Sequence, residues 1–132
     1  MSRLQEHIEN FSKVFDIYEK AVLAYRKDTS EILMHLALVQ SFEICFELSW
    51  EIIKDYLKVK GLEAYTPKDI IKEAFAANII PDGQLWIDMI NDKNASSHEY
   101  NLEKVSFILE RISSNYYEEL TRFKTQAENF DE

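Results

Sequence analysis

The stretch Asp92-Lys93-Asn94-Ala95-Ser96-Ser97-His98-Glu99-Tyr100 gathers a cation, an amide, two hydroxyls, an imidazole and a phenol within a few residues. Together they can hold a phosphate and move a proton: the ammonium and hydroxyls grip the anion, and the imidazole exchanges a proton. Their geometry depends on the backbone. In an unbroken helix, Lys93 and His98 would stand about 140° apart around the axis and could not converge. Convergence needs a helix that ends near Asn94, with Ser96 or Ser97 turning the chain. Ser96-Ser97-His98-Glu99 can then act as a capping box for the next helix, with Asn101 as the competing cap. Either choice puts His98 near a helix N-terminus, where free N–H groups welcome a phosphate oxygen. The plainer alternative is that these residues only cap helices and close a loop.

Other chemistry-bearing residues are more scattered. Glu43 interrupts an apolar stripe, so its carboxylate is either a structural pin or part of a pocket. Glu47 and Lys54 follow along the same edge and read as an ion-paired ridge. His7 and His35 lack partners at metal-ligand spacing and read as surface residues, and Cys45 reads as core. The chain carries no Gly-rich phosphate loop, no Gly-Ser with Asp-x-Asp, and no Cys/His cluster for zinc, so neither a metal nor a cofactor is expected.

The elements that position the polar stretch are helical. In the first, Leu4, Ile8, Phe11, Phe15, Tyr18, Val22 and Tyr25 alternate spacings of four and three, a seam suited to antiparallel bundle packing. Thr29 or Ser30 offers a cap for a second helix running to about Lys60, where Gly61 can take the left-handed position. That helix carries two stripes: Ile32, Leu36, Val39, Phe46, Trp50, Ile53 and Leu57, then Leu38, Phe42, Cys45, Ile52, Tyr56 and Val59. They cover an arc on the order of 220°. A helix so broadly apolar either sits centrally or also lines an oligomer interface; it is read as doing both, which implies a homodimer, the plainer alternative being a well-buried central helix alone.

Thr66-Pro67-Lys68-Asp69 starts a short third helix with Ile70, Ile71, Ala74 and Phe75 on one face. Pro81-Asp82-Gly83 breaks it, and Leu85, Trp86, Met89 and Ile90 mark a fourth. Asn101 can cap a long last helix striped by Val105, Ile108 or Leu109, Ile112, Tyr116, Leu120, Phe123 and Ala127. The expectation is an all-α, antiparallel up-and-down bundle of four to five helices in one domain, residues 1–132.

Composition agrees. Two Gly and two Pro in 132 residues are too few for a strand-rich fold. A formal net charge of −9 disfavours broad binding to nucleic acid or an anionic membrane, while leaving room for a small cationic pocket or a basic partner. One cysteine, no visible signal peptide and no membrane-length apolar run point to a cytoplasmic, soluble protein.

The chain resembles the nucleotidyltransferase substrate-binding protein family. The resemblance is carried by Phe42-Glu43-Ile44-Cys45-Phe46-Glu47-Leu48-Ser49-Trp50-Glu51-Ile52-Ile53-Lys54-Asp55-Tyr56-Leu57, then Tyr65 to Phe75, Asp82 to Trp86, and Asp92 to Asn101. That family belongs to the HEPN superfamily of helical bundles, and its members are typically bacterial or archaeal. It implies a homodimer that associates with a separately encoded minimal nucleotidyltransferase. In toxin–antitoxin pairs of this kind the bundle is a metal-independent RNase built on Arg, four residues, His, with a nearby Tyr that the partner can modify with AMP. By that resemblance His98 matches the His, Tyr100 the Tyr and possible AMP acceptor, and Asn94 the polar residue after the Arg. Lys93 stands at the Arg position, keeping the charge but losing the planar fork that grips phosphate bidentately.

The sequence therefore implies a non-catalytic subunit binding nucleotide or substrate through Lys93, Asn94, Ser97, His98 and Tyr100, with Trp86 or Tyr100 offering an aromatic face. The alternative is an RNase toxin, with His98 as general base and Lys93 as the phosphorane's countercharge.

Overall fold

The computed structural model describes residues 1–98 and 101–131, leaving aside the Leu102 side chain. Six helical segments follow one another: α1 (Arg3–Lys27), α2 (Ile32–Val59), α3 (Pro67–Ala76), α4 (Gly83–His98), α5 (Leu102–Ser113) and α6 (Asn115–Ala127). Every other helix packs on α2, which is the axis of an all-α bundle. The α1 seam is buried as its spacing predicts, from Leu4 through Phe11, Phe15, Tyr18 and Val22 to Tyr25. It meets Leu38, Phe42, Phe46, Ile53 and Leu57 of α2 and Ile112, Tyr116, Leu120 and Phe123 of the last two helices in one core.

Local signals account for most boundaries. The Ser2 hydroxyl caps α1, and Thr66 with Pro67 starts α3 as expected. Gly61 (φ +80°) ends α2, its N–H bonded to the Lys58 carbonyl and that of Leu62 to Leu57, a Schellman closure. Glu31 caps α2 in place of the expected Thr29 or Ser30, because Asp28 already engages Ser30 through both backbone and hydroxyl. Helix α3 stops before Pro81-Asp82-Gly83: Asn78 takes a left-handed φ of 61°, and the Ile79 N–H closes on the Ala74 carbonyl. Phe75, expected on the buried face, lies 52% exposed in the last turn of α3.

The long last helix is interrupted at Ser114 (φ −123°, ψ −92°). The Tyr18 hydroxyl donates to the Ile112 carbonyl and Arg26 to that of Ser113, acceptors a continuous helix would use itself. Ser113 and Ser114 turn their hydroxyls back to the Glu110 carbonyl. Side-chain donors from α1 thus replace ladder bonds and bend the rod.

Among the described residues, α2 is the one helix long and apolar enough to cross a membrane by length and composition. This differs from the expectation of no membrane-length apolar run. In its C-terminal half, Phe46, Ile52, Ile53 and Leu57 are core. Its first turns are not: Ile32, Leu33 and Leu36 are 52%, 71% and 61% exposed.

Candidate functional site

The last two turns of α4 are polar apart from Ala95: one side meets α5 and α6, another meets α2, and Asn94 and His98 lie exposed. Trp86, Met89 and Ile90 bury the first turns against the core, which fixes where the following residues emerge. Asp92 faces α5 and α6: it accepts from Arg111 through Nε (2.6 Å) and Nη2 (3.0 Å), and from the Tyr116 hydroxyl. Burial and then the bond to Asp92 push the Tyr116 phenol upward in pKa, and the Asp92 grip raises Arg111 further.

Lys93, Ser96 and Ser97 face α2 instead. The Lys93 ammonium rests on the Glu47 carboxylate. Ser96 and Ser97 donate to Glu43 Oε1 at 3.0 and 3.2 Å, while lying 3.0 and 2.9 Å from the Lys93 carbonyl. Two carboxylates one turn apart on α2 therefore clasp the polar end of α4. This answers why Glu43 interrupts an apolar stripe, and it corrects the expected Glu47–Lys54 ridge: Lys54 instead lies over the Trp50 ring, 6.0 Å from its centroid.

The expected break near Asn94 does not occur. Helix α4 runs unbroken through His98, because Ser96 and Ser97 bond back to the Lys93 carbonyl and forward to Glu43 rather than capping a new helix. Asn101 is the cap of α5, accepting from the Glu103 N–H at 2.9 Å. His98 consequently sits in the last turn of α4, where carbonyls rather than N–H groups are free, and the phosphate-holding amides expected beside it belong to α5. Asn94 and His98 are exposed. Lys93 and His98 are about 140° apart on a continuous helix, so they do not converge within one protomer. Tyr100, the possible AMP acceptor, lies outside the described residues.

Trp86 cannot offer a ligand its face. It is fully buried, and its indole N–H donates to Glu119 Oε2 at 2.8 Å, a carboxylate held in turn by Arg122. Cys45 is core, as expected, and burial pushes its thiol well up. His7 and His35, expected at the surface, are both partly exposed, and each has a partner. The His35 ring packs against Tyr25, with Nε2 2.6 Å from the Thr29 carbonyl, and His7 Nδ1 lies 2.7 Å from Asp55 Oδ2 on α2. The partnerships of Asp92, Arg111 and Tyr116 had no sequence signal, since α5 and α6 supply two of the three.

The family described as nucleotidyltransferase substrate binding protein like matches residues 6–129 of this chain. The chain belongs to that family. A relative named probable ribonuclease HepT, from Haemophilus influenzae, is 32% identical over 79 residues, which cover 56% of this chain and 54% of that protein. The match thus spans about half the length of the curated relative. A crystal structure of a protein from Thermus thermophilus has a TM-score of 0.55 at 24% identity, covering 84% of this chain and 92% of that one; at that identity the likeness is one of fold.

Proposed function

We propose that this protein is a non-catalytic subunit that binds substrate or nucleotide for a separately encoded minimal nucleotidyltransferase, and that it works as a homodimer. The observation that carries this reading is the placement of Lys93: its ammonium lies on Glu47, on a different side of α4 from His98. An RNase needs its base and its countercharge at one phosphate, and a single protomer offers no such meeting among the described residues. A half-exposed Lys–Glu pair can still open to receive an anion at modest cost. The family description supports the partner class. The bare Ile32, Leu33 and Leu36 surface supports a second copy.

The test is light scattering after size exclusion, with the protein alone and mixed with the cognate nucleotidyltransferase. A dimer that forms a stable complex is expected; a monomer that ignores the partner overturns the reading.

The second reading, a metal-independent RNase toxin, is favoured by the relative named probable ribonuclease HepT and by the exposure of His98. It requires the two motif copies of a dimer to complete one cleft. Cleavage of RNA in EDTA that is lost in His98→Ala would establish it in place of the first.

A further inference from the structure

We propose that His7, Glu51 and Asp55 form a site for one divalent transition-metal ion, of zinc-like preference, that ties α1 to α2. One donor atom from each of these three residues lies within 4.8 Å of the other two. Glu51 and Asp55 are one turn apart on α2 and share a face, while His7 approaches from α1. The set comprises one imidazole and two carboxylates, the mixed nitrogen and oxygen chemistry that suits zinc; magnesium and calcium prefer oxygen alone.

A second observation points to a ligand. Glu51 Oε2 is buried and has no hydrogen-bond partner. A carboxylate oxygen withdrawn from water without a partner is costly, and a cation held by the Glu51 carboxylate at this cluster would offset that cost. His7 Nδ1 lies 2.7 Å from Asp55 Oδ2, so the ion would enter between two groups already held together by a hydrogen bond. Coordination through Nδ1 leaves the ring's proton on Nε2. A zinc ion about 2.0–2.2 Å from each donor sets them roughly 3.3 Å apart, which requires the His7–Asp55 pair, now at 2.7 Å, to open slightly.

Access is available. The three side chains are neither fully buried nor fully exposed, and Asp55 also lines a pocket of about 510 Å³ between the start of α1 and the end of α2. The competing charge is Arg3, whose Nε is 3.9 Å from Asp55 Oδ1; with its side chain 72% exposed, it can withdraw into water readily.

The experiment uses the full chain, free of any affinity tag and stripped with chelator, then equilibrated with zinc and assayed for metal content and thermal unfolding. One zinc per chain is expected, with a rise in Tm of roughly 5 °C. His7→Gln and Glu51→Gln should each weaken binding by at least about tenfold, the loss that disturbing even an outer-sphere partner brings. His35→Gln and His98→Gln should leave it intact. Metal-free Glu51→Gln should be no less stable than the parent, an outcome that a purely structural ion pair would not give. No uptake by the parent at saturating zinc, or uptake that survives both substitutions, overturns the proposal. Should the variants fail to fold, cobalt loading of the parent decides: visible ligand-field bands abolished by zinc support the site, and their absence overturns it.

Discussion

The Lys93 ammonium rests on the Glu47 carboxylate of α2, with 24% and 45% of the two side chains exposed. The cation best suited to meet a phosphate is therefore held by a partner weak enough to release it. Exposed pairs contribute about 0–1 kcal/mol, so Glu47→Gln should lower unfolding stability by less than about 1 kcal/mol. The same change frees Lys93. If the polar end of α4 binds nucleotide, Glu47→Gln should tighten that binding in calorimetry and Lys93→Ala should abolish it. Affinity indifferent to both substitutions would remove Lys93 from the site.

Asp92 is a different case, because it is only 15% exposed and serves two donors. Asp92→Ala leaves the Arg111 guanidinium and the Tyr116 hydroxyl without their acceptor. A cost of about 2–3 kcal/mol in urea unfolding is expected, from a charged hydrogen bond lost in a largely enclosed place. Tyr116→Phe alone should cost about 1 kcal/mol. A double-mutant cycle should then show coupling of at least about 0.5 kcal/mol. Strict additivity would mean that the two groups do not interact in solution.

Several tyrosines make the fold sensitive to alkali. Burial, then the bond to Glu110, pushes the Tyr25 phenol from 10.0 up to about 12, and burial raises Tyr18, Tyr116 and Tyr117 as well. A raised pKa in the folded state means that the folded chain holds its proton where the unfolded chain has released it. The stabilising contribution is complete below pH 10 and disappears as pH climbs through about 12. The urea midpoint should accordingly fall with pH above 10, and Tyr25→Phe should make that fall shallower. An identical slope in the variant would show that Tyr25 titrates alike in both states.

The bundle is legible in the sequence because its signals are local and redundant. The α1 seam, the Thr66-Pro67 start and the Gly61 stop each depend on residues a few positions apart, and each is where spacing or backbone chemistry puts it. The end of α4 is not legible, because its continuation is decided at a distance. Ser96 and Ser97 are cap formers by type, yet Glu43 on α2 accepts their hydroxyls and keeps them inside the helix. The break at Ser114 has the same origin, in Tyr18 and Arg26 of α1. His7 shows the limit most sharply: its partner Asp55 lies 48 residues away, so no spacing rule could have joined them.

The first turns of α2 offer the clearest test of self-association. Leu33 and Leu36 are 71% and 61% exposed, and residues three apart share a helix face. Burying such side chains against a second copy would contribute about 1.5–3 kcal/mol each. Leu33→Glu with Leu36→Glu should convert a dimer to a monomer in light scattering at micromolar concentration. Because neither leucine belongs to the core, far-UV circular dichroism should show the bundle still folded. A dimer that survives both charges would place the contact elsewhere and leave this face for the nucleotidyltransferase, whose binding the same variant would then abolish.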